Sequence, residues 1–149
     1  MEKNAEVLND LIKINNDRIK GYEKAAKETD VKDADLRTLF NSLSAESSTY
    51  AAELKKHVLN NGETPADDTT VSGSIYRAWM DVKAAFGGKD RKSILASCEF
   101  GEDAAQKAYN SALKESDLSS EVRQLITDQK TKLKKSHDTI KRMRDTQPA

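Results

Sequence analysis

Glu102 carries the clearest chemical signal in this sequence. It falls inside the apolar stripe Ile94, Leu95, Cys98, Ala105, Ala108, Tyr109, Ala112. A carboxylate on a core-facing stripe is costly unless it is paired, protonated or bound to a metal. Three other apolar stripes are broken in the same way. Asn15 interrupts Leu8, Leu11, Ile12, Ile19, Tyr22, Ala26. Ser47 falls inward between Leu43 and Tyr50, or Glu46 does if the period is nearer 3.5 residues than 3.6. Gln129 interrupts Val122, Leu125, Ile126, Leu133, Ile140, Met143, with His137 at the edge of that stripe.

Two chemistries suit these residues. In the first, Glu102 is a buried carboxylate hydrogen-bonded by Gln129, Asn15, Tyr50 or Tyr22. Asn15, Ser47, Tyr50, Glu102 and Gln129 then form a polar core layer that satisfies itself and sets helix register. In the second, Glu102 joins Glu46, Gln129 and His137, with Glu99 as a further donor, to bind iron or manganese. The first reading is preferred, and with it no cofactor is expected. Glu53 and His57 stand four apart, a spacing that suits a metal on one helix face, but near a helix end it reads better as a surface pair. The single cysteine, Cys98, rules out an internal disulfide and reads as a small core residue. No nucleophile–base–orienter set is visible. Gly87-Gly88-Lys89 stops and restarts a helix and is not a phosphate cradle.

The elements that must position these groups are helices. The 3.6-residue periodicity predicts helices over 4–29, 34–60, 91–115 and 120–144, with a shorter one over 74–86. Asp30 and Asp33 supply capping groups between the first two helices. Asn60-Asn61-Gly62 ends the second, Asp90 caps the third, and Ser116-Asp117-Leu118-Ser119 turns into the fourth. Gly21 lies mid-helix, where it invites a close approach by a neighbour. Short turns make antiparallel pairs. The thirty-residue link between the second and third long helices suits a chain that crosses from one end of a bundle to the other. The fold class is therefore all-α, two antiparallel hairpins joined by a long crossover containing a short fifth helix, in one domain over 1–149. Mid-helix residues on inward faces meet at one level, so the interruptions predict a polar stratum with apolar layers above and below.

Composition bounds the function. The 149 residues carry 25 basic and 25 acidic side chains, a formal net charge of zero, and the two signs are interleaved. No basic face stands out, so a nucleic-acid partner is not expected. No apolar run approaches the ~18 residues of a membrane span, and the N-terminus has no signal-peptide pattern. A cytoplasmic protein is the expectation.

The paired helices, the long crossover and the mid-height polar residues resemble the ferritin-like superfamily. The runs Tyr76-Arg77-Ala78-Trp79-Met80-Asp81-Val82-Lys83 and Cys98-Glu99-Phe100-Gly101-Glu102-Asp103 resemble a bacterial family of small ferritin-like four-helix bundles of unassigned function. Di-iron members of the superfamily take a Glu from each of two helices and Glu-x-x-His from each of the other two. On this sequence those positions fall on Asn15, on Ser47 and Tyr50, on Glu102, and on Gln129 and Lys132. Only Glu102 keeps its ligand type. The resemblance thus implies a degenerate di-iron site and a non-enzymatic role, stress-associated or partner-binding. One alternative is a metal-binding protein or oxidoreductase with a rearranged carboxylate site. The other is a homo-oligomer or interaction module whose Trp79 helix turns an apolar face to a partner, although Ile75, Trp79, Val82 and Phe86 read better as a cover for the bundle.

Overall fold

A computed structural model of the chain describes residues 2–70, 76–80 and 90–147. Among these residues every regular element is helical. The long helices are α1 (Glu2–Glu28), α2 (Ala34–Asn60), α3 (Arg91–Leu113) and α4 (Ser120–Asp145). A 3-10 turn, Val31–Asp33, joins α1 to α2, and residues 76–80 are helical. Helix α2 has the predicted limits, α3 and α4 have the predicted starts, and the remaining ends shift by one or two residues. The flanks of the short helix predicted over 74–86, including Ile75, Val82, Phe86 and the Gly87-Gly88 stop, lie outside the described residues.

The helix ends follow local chemistry. Asp90 accepts from the Ser93 amide at 2.8 Å, and Ser119 accepts from that of Val122 at 3.2 Å, so each satisfies a donor that the first turn leaves free. Gly62 closes α2 with φ +77°, a conformation that glycine adopts without strain. Asp30 caps the 3-10 turn through the Lys32 amide. Asp33 does not cap α2: its carboxylate meets Arg91 at 2.8 Å instead, tying that turn to the start of α3. Arg123 donates to the carbonyls of Leu113 and Glu115, both at 2.6 Å, and so closes the turn between α3 and α4.

Contacts along the helices set their directions. Asn15 meets Ser47, Arg18 meets Leu43, and Thr29 meets Arg37, so α1 and α2 run antiparallel. Tyr109 meets Gln129, Asp103 meets His137, and Glu99 meets Arg144, so α3 and α4 do too. Helix α3 faces α1 through Tyr109–Asn15 and Glu102–Arg18. Helix α4 faces α2 through Ser136–Glu46 and Gln129–Glu53. Helices α2 and α3 therefore point the same way, and the link between them must travel the length of the molecule. Side chains of α1 hold that link. Asn9 pairs with the backbone of Thr64 and Ala66, Asn16 with the Asp68 carbonyl, and Asp17 with Thr70.

Within the link, Trp79 is 1% exposed. Its indole lies between two glycine notches, one on each of α1 and α3. A Cβ at Gly21 would sit 2.6 Å from the ring, and one at Gly101 would sit 3.1 Å from it. The mid-helix Gly21 thus makes room for Trp79. The two sequence runs around Trp79 and Gly101 are halves of one contact. Tyr22 meets Trp79 edge-on at 5.3 Å and stacks with Phe40 at 5.7 Å.

Two apolar clusters fill the interior. One contains Leu8, Leu11, Ile12, Leu54, Val58, Ile126 and Leu133. The other contains Tyr22, Leu36, Phe40, Trp79, Leu95, Cys98 and Ile140. The polar groups lie between them. No helix of the described residues is long and apolar enough to cross a membrane.

Candidate functional site

Glu102 projects from the middle of α3 into the interior and is 1% exposed. The group that meets it is Arg18 of α1, equally buried. Arg18 Nε donates to Glu102 Oε2 at 2.7 Å, and Nη2 donates to Oε1 at 3.2 Å. Two roughly parallel bonds of this kind join a guanidinium to a carboxylate with both charge and shape matched. Tyr22, one helical turn along from Arg18, donates its hydroxyl to Oε2 at 2.7 Å. The Tyr22 ring also lies 5.3 Å from the Arg18 guanidinium carbon, within cation–π range. Arg18 Nη1 donates to Ser47 Oγ at 2.8 Å, to the Leu43 carbonyl at 3.3 Å and to Glu46 Oε1 at 3.4 Å. A buried guanidinium needs acceptors for five N–H groups, and α2 and α3 supply them.

The remaining polar groups continue the network. Ser47 Oγ donates to Asn15 Oδ1 at 3.0 Å, and Asn15 Nδ2 donates to the Tyr109 hydroxyl at 2.8 Å. The Tyr109 hydroxyl donates to Gln129 Oε1 at 2.7 Å. Gln129 Nε2 donates to Glu53 Oε1 at 3.0 Å and to the Tyr50 carbonyl at 3.2 Å. Glu46, on the flank of α2, accepts from Ser136 at 2.9 Å and from the Tyr50 hydroxyl at 3.3 Å. It opens onto a cleft of about 450 Å³ between α2 and α4, rimmed by Lys132 and Lys135. All four long helices thus join one network.

Burial and charge shape the protonation states. Burial works against the charged form of Arg18, but Glu102, together with Tyr22 and Glu46, holds the guanidinium's pKa above its ordinary value. Burial, then the Glu102 charge, pushes the Tyr22 phenol well up. Burial also raises Tyr109, and burial and Glu46 raise Tyr50. The Cys98 thiol is pushed up by burial and by Glu102, so it is a poor nucleophile.

The five residues expected at mid-height, Asn15, Ser47, Tyr50, Glu102 and Gln129, are all buried. Ser47 takes the inward position and Glu46 stands beside it, yet both reach Arg18. The expected partners of Glu102 differ from those observed. Tyr22 bonds it, but Asn15 turns to Tyr109 and Ser47, Gln129 to Tyr109 and Glu53, and the Tyr50 hydroxyl to Glu46. Lys132, expected inward, is exposed, because Leu133 and Ser136 occupy the inward face after Gln129. Glu53 turns to Gln129, away from the expected pairing with His57.

Sequence reasoning missed Arg18. The signal was present: Arg18 stands three residues after Asn15, four before Tyr22 and seven after Leu11, so it lies on the α1 stripe. A long basic side chain at such a position is ordinarily taken to bend outward to water.

The four candidate ligands Glu102, Glu46, Gln129 and His137 do not converge. Glu102, Glu46 and Gln129 belong to the interior network: Glu102 and Glu46 both meet Arg18, and Gln129 bonds Tyr109 and Glu53. His137 stands outside it, between α3 and α4. Its Nε2 lies 2.6 Å from Asp103 Oδ1, and its Nδ1 lies 3.1 Å from Asp138 Oδ1. Burial lowers its pKa, but Asp138 and Asp103 together leave it raised. Glu99 lies near, ion-paired with Arg144.

A family model matches residues 3–115. The chain belongs to DUF2383, a domain of unknown function. The matched part of DUF2383 holds Arg18, Tyr22, Ser47, Trp79, Gly101 and Glu102. It stops before α4, which brings Gln129, Ser136 and His137. No curated protein matches the chain.

Proposed function

We propose that this chain is a non-enzymatic ferritin-like four-helix bundle, a rigid cytoplasmic module that acts by binding a protein partner. In this reading a buried arginine–glutamate pair stands where catalytic members of the superfamily hold two metal ions. One observation carries it: Arg18, 1% exposed, fills the mid-bundle position beside Glu102. Two metal ions with about four positive charges need several carboxylates and imidazoles around them. Here the buried groups of the layer are one carboxylate, two amides, hydroxyls and a cationic guanidinium; Glu46 and Glu53 reach in from the flank already bonded, and both Glu102 oxygens are occupied. That donor set does not fit a di-metal centre.

The network has no nucleophile–base pair and no proton held ready for transfer. The supporting physics is that a fully bonded ion pair locks helix register and raises the cost of any other arrangement. Aerobic ferrous loading tests the reading. We expect no iron oxidation beyond buffer and no visible oxo-bridged band. A band in the wild type that vanishes in Glu102→Gln and survives in His137→Ala overturns it.

A further inference from the structure

The interior network leaves one group of metal-type donors unused. Glu99 and Asp103 stand four residues apart on α3, one helical turn, and project towards α4. His137 projects back from α4. One donor atom from each of the three lies within 4.8 Å of the other two. We infer that Glu99, Asp103 and His137 form a binding site for a divalent transition-metal ion on the α3–α4 face, separate from the Arg18–Glu102 layer.

The chemistry of the donors selects the ligand. Two carboxylates and a neutral imidazole balance a 2+ ion. Hard ions such as Mg²⁺ and Ca²⁺ prefer six or more oxygen donors, whereas an imidazole suits zinc and its neighbours in the first transition row. Zinc bonds of about 2.0–2.2 Å require donors roughly 3–3.5 Å apart. Side-chain rotation supplies that small contraction, since Asp103 is half exposed and Glu99 and His137 are not sealed. Water completes the coordination.

The imidazole is already held as a metal-binding histidine usually is. Its Nδ1 faces the Asp138 carboxylate at 3.1 Å, which leaves Nε2 aimed at Asp103. A carboxylate behind the imidazole sets the tautomer and strengthens the donor nitrogen. Asp138 is held in turn by Lys134 at 3.1 Å. The metal binds at Nε2 of the neutral ring; where the imidazole carries both protons, the one on Nε2 leaves to solvent as the metal enters.

Arg144 competes for Glu99. It also has a second acceptor, Asp145, at 2.8 Å from Nη2, so it can release Glu99 without losing every partner. The site therefore trades one cation for another without stranding a charge.

The test uses the full chain stripped with chelator and titrated with Co²⁺, whose visible d–d absorption reports imidazole coordination, followed by displacement with Zn²⁺. We expect about one Co²⁺ per chain, complete displacement by Zn²⁺, and a shift of the His137 ring resonances alone. His137→Ala should abolish the band. Asp103→Asn should weaken binding at least tenfold, and Asp138→Asn by about tenfold. His57→Ala and Glu102→Gln should leave it unchanged. Circular dichroism of each variant at full helicity excludes misfolding. Absence of saturable binding overturns the inference. So does a band that survives in His137→Ala, or one lost in His57→Ala. Loss of the band in Glu102→Gln overturns it too, and moves the metal to the interior.

Discussion

Glu102 and Asp103 are neighbours in the chain, and the molecule treats them in opposite ways. A helix turns about 100° per residue, so one side chain points inward and the other along the α3–α4 face. Glu102 is sealed, and its partners are Arg18 and Tyr22. Asp103 is half exposed and meets His137, a group that gains and loses charge near neutral pH. Burial explains the difference. Out of water a carboxylate needs a permanent cation with every hydrogen bond made, and arginine is the side chain that stays charged under those conditions. At the surface water shares the work, so the partner is replaceable and the pair contributes little to stability.

The comparison breaks first at Arg18. Arg18→Met leaves Glu102 buried without its cation and should destabilise the chain by about 3–5 kcal/mol in urea unfolding. Arg18→Met combined with Glu102→Leu removes both charges and should recover most of that loss. A single variant as stable as the double one would show that Glu102 does not depend on its partner. The wall behind the layer is tested through Gly21. Gly21→Ala drives a methyl into the Trp79 ring and should destabilise by about 1–3 kcal/mol, less the gain in helix propensity. Trp79 fluorescence should shift to the red. Gly101→Ala, with the longer approach, should cost less.

Alkaline unfolding sharpens the comparison further. The folded-state pKa of Tyr22 lies well above its unfolded value of about 10. Its contribution is therefore fully present below pH ~10 and is lost as the pH rises beyond that. Tyr109 and Tyr50 act with the same sign. Stability measured from pH 8 upward should fall steeply past pH ~10. Tyr22→Phe should start lower and fall less steeply. The smallest effect belongs to the outer pair. His137→Gln, measured in chelator, should change stability by less than about 1 kcal/mol, and added salt should shrink the difference. A change as large as that of Arg18→Met would erase the distinction between the two sites.

Much of the architecture was legible in the sequence. The 3.6-residue stripes locate four long helices, and Asp90, Ser119 and Gly62 mark their ends through bonds within one turn. The interruptions at Asn15, Ser47, Glu102 and Gln129 mark where polar groups enter the interior. Gly21 announces a close approach, though not by which group. These are local facts, set by periodicity, capping and backbone freedom, and they hold whatever the rest of the chain does.

Partner choice was legible only in the tertiary structure. Arg18 sits on the α1 stripe, but its long stem can reach water or the core from the same Cα. The direction follows from Glu102, eighty-four positions away, together with Ser47 and Leu43 across the hairpin. His137, at the edge of the α4 stripe, was a candidate metal ligand alongside Glu102; it meets Asp103 instead, because one residue of helix rotation moves a side chain to another face. Trp79 fits its pocket only where Gly21 and Gly101, from distant parts of the chain, come opposite each other. Periodicity says which way a residue faces to within about one step. Which atom waits there depends on how the other helices are rotated, and only the packed molecule settles that.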